Sequence, residues 1–310
     1  MKKTFRIVSR KSALALWQAN HIKAKLSYLH PELEITIIGI QTEGDKTLET
    51  PLYEVGGKGL FVKALEEYLL ENKADIAVHS LKDMPAELPE GLELSVILER
   101  EDPRDAFISK VYPSLESLPP NARVGTSSLR RQCQLATLRP DLNPLILRGN
   151  VDTRVQKLDR GEYDAILLAV AGMKRLGLEN RLSQILPANK MLPAVGQGAL
   201  SIECRKLDEA TKSLIKPLHH LPTAQCVFAE RSMNALLGGG CQLPVAGLAT
   251  IQSDGQLTLN GLVGSKDGKI ILKASASGEK EQGIAIGKKV AEQLLVDGAK
   301  EIIKACEEGT

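Results

Sequence analysis

Hydrophobic and polar positions alternate along this chain with two periods, and the periods change in blocks. TFRIVS and ELEITIIGI carry the short alternation of strands. Between them Leu14, Trp17, Ile22, Leu26 and Leu29 fall roughly on one face of a helix, and Ser12 is placed to cap it. GGKGLFVKALEEYLLENK reads as a loop running into a helix, DIAVHS as a buried strand ending at LKDMP, and LELSVILE as one more strand. A second block starts near Asp105. In it RVGT is a strand, SSLRRQCQLATLR and NVDTRVQKLDRGEY are helices, and DAILLAVAG is a continuous apolar strand of the kind buried on both faces. PAVGQGALSIECR carries two glycines through a crossing segment into a further strand. The C-terminal stretch differs: LTLNGLVG and KIILKASASG flank SKDG, a hairpin signal, and a long helix follows over roughly 283–306. Strands alternating with helices predict parallel or mixed sheets covered by helices, with a small α+β domain at the end. No internal repeat or low-complexity tract is visible.

Composition narrows this picture. A chain of 310 residues is too long for one ordinary core, so two or three domains are expected. A hydrophobic fraction of 43% suits a soluble globular protein. A net charge of +2 gives no global field toward nucleic acid or membrane, and 3% aromatics is thin for a protein that stacks bases. The five cysteines, at 133, 204, 226, 241 and 306, form no CxxC pair, so neither a zinc site nor a disulfide framework is expected. Arg6, Arg10 and Lys11 interrupt the N-terminal stretch, which is therefore not read as a secretory signal. No apolar run approaches membrane-spanning length. A reduced, cytoplasmic, soluble protein is expected.

Arginine is unevenly placed. Of 15, six lie between 123 and 154, in a window with no lysine and only two acids, Asp141 and Asp152. Arginine without lysine favours bidentate recognition of carboxylate or phosphate; a solvated basic helix face is the plain alternative. In VGTSSLRRQ a strand ends, Thr126, Ser127 and Ser128 come next, and a helix begins. N-capping by Ser127 or Ser128 explains the hydroxyls but not Arg130 and Arg131 on the first turn, where cations oppose the helix dipole and a bound anion offsets that cost. HSLKDMP places Lys82 and Asp83 after a buried strand, where open α/β sheets hold ligands, although such a pair also suits a solvated turn. His79 is expected to be a packed strand-end histidine, and His219 and His220 to adjoin a surface linker. GGGC at 238–241 reads alone as a tight turn with a small thiol.

Taken together, SRKSALALWQA, TEGD, VGGKGLFVKALE, DIAVHSLKDMP, EREDPRDAF, VGTSSLRRQ, LRGNVDTR, YDAILLAVAGMKRL, LPAVGQGAL, IECR, AERSMNALLGGGCQLPV and GAKEII resemble the porphobilinogen deaminase (hydroxymethylbilane synthase) family, in family order over nearly the whole chain. The resemblance implies an α/β enzyme with two periplasmic-binding-protein-like (type II) domains around a cleft and a small C-terminal α+β domain. It implies a discontinuous first domain, 1–98 with 199–216, a second over 104–193 and a third over 221–310. It also implies a monomer acting on porphobilinogen, without nucleic acid, membrane or metal.

By the same resemblance Cys241 holds a dipyrromethane cofactor through a thioether. Four porphobilinogen molecules join that cofactor with loss of ammonia, and hydroxymethylbilane is released. Lys82, Thr126, Ser127, Ser128, Arg130 and Arg131 are implied to hold cofactor carboxylates. Arg10, Ser12, Arg148, Arg154 and Arg175 line the substrate and the growing chain, and Gln197 and Lys58 flank the cleft in weaker roles. Asp83 is the implied catalytic carboxylate, which also contacts the cofactor. Without cofactor these arginines are expected to face one another unpaired. Some relatives carry basic residues where this chain has Glu43 and Glu54, so the resemblance does not extend to any cofactor contact made there. Two rivals remain: a non-enzymatic carboxylate-binding clamshell, and nucleic-acid binding through the 123–154 arginines.

Overall fold

The computed structural model describes residues 3–42, 62–239 and 243–308. Two five-stranded sheets repeat one plan. In the first, β1 (Lys3–Arg10), β2 (Leu33–Ile40), β3 (Ile76–Ser80), β4 (Leu92–Ile97) and β10 (Leu200–Arg205) lie in the order β2-β1-β3-β10-β4. β1 pairs in parallel with β2 and β3, while β10 runs antiparallel to β3 and β4. In the second, β5 (Asp105–Ile108), β6 (Arg123–Gly125), β7 (Asn143–Leu145), β8 (Ala165–Ala169) and β9 (Gln184–Leu186) take the order β7-β6-β8-β5-β9, and β5 is the antiparallel insert. The chain crosses between the sheets twice, through 98–104 and 187–199. Each crossing delivers the strand that breaks the parallel run.

Alternation along β1 explains why the first sheet is covered on both faces. Phe5 and Ile7 pack with Ile22 and Leu26 of α1 (Ala13–Leu29), whereas Val8 packs with Leu65 and Leu69 of α2 (Lys63–Leu70). The second sheet behaves alike: Leu167 of β8 joins one cluster with Leu135 of α3 (Leu129–Leu138), and Ile166 and Leu168 join another with Val155 of α4 (Val151–Asp159). α5 (Val170–Arg175) follows β8 directly, and α6 (Glu209–Ile215) follows β10. The C-terminal sheet is an antiparallel meander of β11 (Val245–Ile251), β12 (Gln256–Gly264) and β13 (Ile271–Glu279). Its core is shared with α7 (Leu221–Leu236), α8 (Gly283–Val296) and α9 (Ala299–Glu308).

Three expectations are corrected. The long C-terminal helix is two, broken where Gly298 takes a φ of +105° just past α8, a conformation that favours glycine. The apolar run DAILLAVAG is not one strand: the strand stops at Ala169 and Val170 opens α5, with its N–H donated to Arg104 O just past the end of the β8–β5 pairing. Trp17 and Leu29 lie outside the buried face of α1, which is made by Gln18, Ala19, Ile22 and Leu26. Trp17 instead stacks on His21, with ring centroids 5.1 Å apart, beneath the Arg175 guanidinium.

Candidate active site

The cleft is assembled from the loops and helix starts that lie beyond the carboxyl ends of the parallel strands. β1 ends at Arg10 and leads to Ser12; β3 ends at Ser80 and leads to a 3-10 turn, Leu81–Asp83. β6 leads through Thr126 to Ser128 into α3, β7 leads to Arg148 and then to Arg154 on α4, and β8 leads to Arg175 on α5. This is where open α/β sheets offer exposed backbone and helix starts to a ligand. Three small cavities, of about 60, 70 and 60 Å³, run along the 80–84 turn. One has Lys82 with Ser128 and Arg130, the next has Lys82 with Arg131, Arg154 and Arg175, and the third has Asp83 with Arg10 and Ser12. A larger cavity of about 760 Å³ lies beyond Arg175, but neither Asp83 nor Lys82 lines it.

Arg130 and Arg131 correct the expectation of unpaired guanidiniums. Both are buried, and both are bound to Asp105 at the start of β5. Arg130 donates to Asp105 Oδ2 at 2.7 Å and to Leu192 O at 2.7 Å; Arg131 donates to Asp105 Oδ1 at 2.7 Å and to Leu167 O at 2.9 Å. Burial alone would raise the Asp105 carboxyl, but the two guanidiniums overcome it and hold the group well below the usual carboxylate range. Gln197 donates to Asp105 Oδ1 at 3.0 Å and to Pro103 O at 2.6 Å, and accepts from Lys82 Nζ at 3.4 Å. One buried carboxylate, an amide and three cations therefore form a continuous network between the two sheets. The sequence reading missed Asp105; its only signal was a place at the head of a strand inside EREDPRDAF.

The other cations are less satisfied. Burial pulls Lys82 down to about 8, although Asp83 opposes the shift. Burial likewise pulls Arg154 and Arg175 to about 10. Arg154 donates to Gly149 O at 2.6 Å and Arg175 to Gly198 O at 2.6 Å. Buried Arg148 has an Nη1 with no hydrogen-bond partner among the described residues. Cationic donors left with carbonyls, or with nothing, are suited to incoming carboxylates.

The hydroxyls do other work. Ser127 donates to Leu147 O at 2.8 Å, Thr126 Oγ1 accepts from Ser128 N–H at 3.2 Å, and Ser128 stands at the α3 N-cap without a side-chain cap. Ser12 caps α1, accepting from Ala15 N–H at 3.3 Å. His79 is buried against Glu203, and His220 caps α7 through Thr223.

Cys241 and Lys58 lie outside the described residues, as do Glu43 and Glu54. The nearest described residues on either side of Cys241 are 239 and 243. Gly238 and Gly239, at φ +101° and +67°, turn the chain at the end of α7, and a Cβ on Gly239 would meet Ala86 Cβ at 2.9 Å. Leu243 and Asn234 line the same cavity as Lys82 and Arg130. The Cys133, Cys204 and Cys226 thiols are buried, which pushes them up to about 12, 11 and 11. Thiols so reluctant to ionise are poor nucleophiles.

No helix among the described residues is long and apolar enough to cross a membrane. The chain is similar in structure to a putative methionine-binding lipoprotein of Bacillus subtilis, at 15% identity and a TM-score of 0.43 over 71% of this chain and 91% of that one. It is similar to a periplasmic substrate-binding protein of an ABC transporter from Coxiella burnetii, at 14% identity and 0.43 over 71% and 93%. A third match is the BenM effector-binding domain with benzoate, at 17% and 0.43 over 77% and 95%. Residues 5–213 match the family model described as porphobilinogen deaminase, dipyromethane cofactor binding domain, and residues 224–296 match porphobilinogen deaminase, C-terminal domain. The chain therefore belongs to the porphobilinogen deaminase family, the transferases that make the linear tetrapyrrole hydroxymethylbilane from porphobilinogen.

Proposed function

We propose that the chain of small cavities along Lys82 and Asp83 is the reaction centre, and that a dipyrromethane primer is anchored there by a thioether to Cys241. The observation that carries this reading is a set of cations with no acidic hydrogen-bond partner among the described residues: Lys82, Arg154 and Arg175, which line one cavity, and Arg148, whose charge acts on Arg154. Two unit charges about 6 Å apart repel by roughly 3 kcal/mol at an effective dielectric near 20. These cations, buried or partly buried, are therefore kept together at a cost that carboxylates remove. The orphaned Nη1 of Arg148 fits a group bearing acetates and propionates. When bound, the dipyrromethane supplies the free pyrrole carbon from which the chain is extended.

The roles divide by position. Lys82, Arg130 and Arg131, with Thr126, Ser127 and Ser128 beside them, would hold the primer's carboxylates beside the stretch that carries Cys241. Arg10, Ser12, Arg148, Arg154 and Arg175 receive porphobilinogen and the lengthening chain. Gln197 and Lys58 support the cleft's edge. Asp83 faces the cation that porphobilinogen becomes when its C–N bond breaks, and stabilises it electrostatically. Domains over 1–98 with 199–216, 104–193 and 221–310, a monomeric state and a cytoplasmic location belong to the same proposal. The three-sheet strand order supports the domain division.

Intact mass spectrometry tests it. Purified protein should exceed its sequence mass by one dipyrromethane, the excess should map to the peptide holding Cys241, and porphobilinogen should add further units. Cys241→Ser should lack the excess, because a hydroxyl is a far weaker nucleophile than a thiol. An excess on Cys133, Cys204, Cys226 or Cys306 refutes the anchor.

A further inference from the structure

Under α2 lies a buried polar group to which the proposed function gives no role. His79 and Ser201 face each other across β3 and β10, and Glu203 is two residues further along β10. His79 Nε2 lies 2.9 Å from Glu203 Oε2, with the Glu203 side chain fully buried. Glu66 enters from α2, and burial, together with the charge of Glu203, pushes its carboxyl up to about 7. Glu66 Oε1, Glu203 Oε1 and Ser201 Oγ have no hydrogen-bond partner among the described residues. Two acids and an imidazole out of water, with orphaned acceptors, make a group whose charge depends on where its protons sit.

This group reaches the cleft at one point. His79 lines the cavity of about 60 Å³ that Asp83, Arg10 and Ser12 also line. One ring nitrogen is held by the carboxylate, and Nδ1 remains. The charged groups around the imidazole are Glu203 on β10, Glu66 on α2, Arg10 at the end of β1 and Asp83 on the turn. A carboxylate behind an imidazole fixes its tautomer and stabilises its protonated form.

The chemistry of chain extension needs such a base. Porphobilinogen's aminomethyl group, protonated as its ammonium, leaves as ammonia: the electron pair of the C–N bond goes with nitrogen, and the positive charge passes to the substrate. When the acceptor is a substrate unit added earlier, its free α-carbon forms the new C–C bond. That carbon must then lose its proton, returning the C–H pair to the ring. We propose that His79 is the base that takes this proton, at Nδ1, with Glu203 positioning the ring. The imidazolium then gives the proton to the ammonia, which departs as ammonium, so charge and atoms balance and Asp83 stays ionised throughout.

The inference rests on the reading of the Asp83 cavity as the reaction centre, and three measurements separate the two. Porphobilinogen deuterated at its free α-carbon is compared with the light substrate. His79→Gln should lose about 10²–10⁴ in turnover, the range for a general base, and should show a several-fold primary isotope effect larger than the parent's. A structural role would slow both substrates equally, so equal light and heavy rates in His79→Gln overturn the proposal. Nitrogen-15 NMR should place the proton of the neutral His79 ring on Nε2, toward Glu203, leaving Nδ1 as the acceptor; a neutral ring with its proton on Nδ1 also overturns it. If His79→Gln does not fold, Glu203→Gln serves in its place, with a smaller rate loss and the same isotope effect expected. Asp83→Asn is the control: near-parental turnover there removes the reaction centre itself, whereas a dead Asp83→Asn beside an isotope-insensitive His79→Gln removes only the base.

Discussion

Asp83 and Asp105 are two carboxylates a few elements apart in opposite environments. Asp83 is half-buried on a turn, shares its cavity with Arg10, and has no ion pair among the described residues. Asp105 is sealed between two guanidiniums. For Asp83 the prediction is chemical. Asp83→Asn keeps the shape and should lose about two to three orders of magnitude in turnover, the usual cost of one preorganised electrostatic partner. Asp83→Glu keeps the charge in a displaced position and should fall between, with tethered cofactor still visible by mass. For Asp105 the prediction is structural. Asp105→Asn strips a buried ion triad of its only anion and should cost about 3–5 kcal/mol in urea unfolding. Little change in the unfolding midpoint would mean that Arg130 and Arg131 find other partners. The sequence displayed the two arginines but not this anion, because its partner lies 25 residues away and only the crossing of the chain brings them together.

At the scale of elements, much of the site was legible because strand ends are legible. HSLKDMP and VGTSSLRRQ announce a strand, a polar loop and a helix, and each loop lies at a carboxyl end as the α/β rule requires. What remained hidden was which element each side chain serves. Ser127 donates to Leu147 O and Ser12 accepts from Ala15 N–H in capping α1, so each hydroxyl already serves the backbone. The crossing into β10 was legible in PAVGQGALSIECR, but that β5 and β10 enter their sheets antiparallel was not, since the direction of an inserted strand leaves no periodic mark. The elements do separate two classes of arginine. Arg131 on α3 is locked to Asp105, whereas Arg148 before α4 and Arg154 on it are held only by the backbone or lack a partner for one nitrogen among the described residues. Arg131→Leu should therefore block cofactor assembly. Arg148→Leu and Arg154→Leu should permit assembly and slow elongation roughly ten- to hundredfold, since a charged hydrogen bond is worth about 1.5–3 kcal/mol. Partial products should then appear as a ladder of masses on the protein. A fully active Arg154→Leu without a ladder would take α4 out of the cleft.

For the whole molecule, the balance of charge in the cleft ties stability to occupancy. Lys82, Arg148, Arg154 and Arg175 converge from both sheets, and carboxylates or small oxyanions relieve their repulsion. Protein lacking the dipyrromethane should melt lower than protein carrying it, and sulfate should recover part of the difference. An anion at ten times its dissociation constant adds about 1.4 kcal/mol. Lys82 makes this effect pH-dependent, with a sign that can be worked out. Its folded value, about 8, lies below the ordinary 10.5 of a lysine. Below pH 8 the folded, anion-free protein keeps a buried charge that the unfolded chain would hold at no cost. As pH rises from 8 toward 10.5 the folded lysine becomes neutral first, so its destabilising contribution fades. An anion in the cleft reverses the preference, because it favours the charged amine. Sulfate should therefore raise the melting temperature most below pH 8 and progressively less above it, while the arginines, charged throughout, keep a residual effect. Lys82→Met should remove the pH-dependent part and leave the residual. Thermal melts with and without sulfate at pH 7 and 9, for parent and variant, decide the matter: an unchanged sulfate shift in the parent across that interval would show that Lys82 does not face the anion.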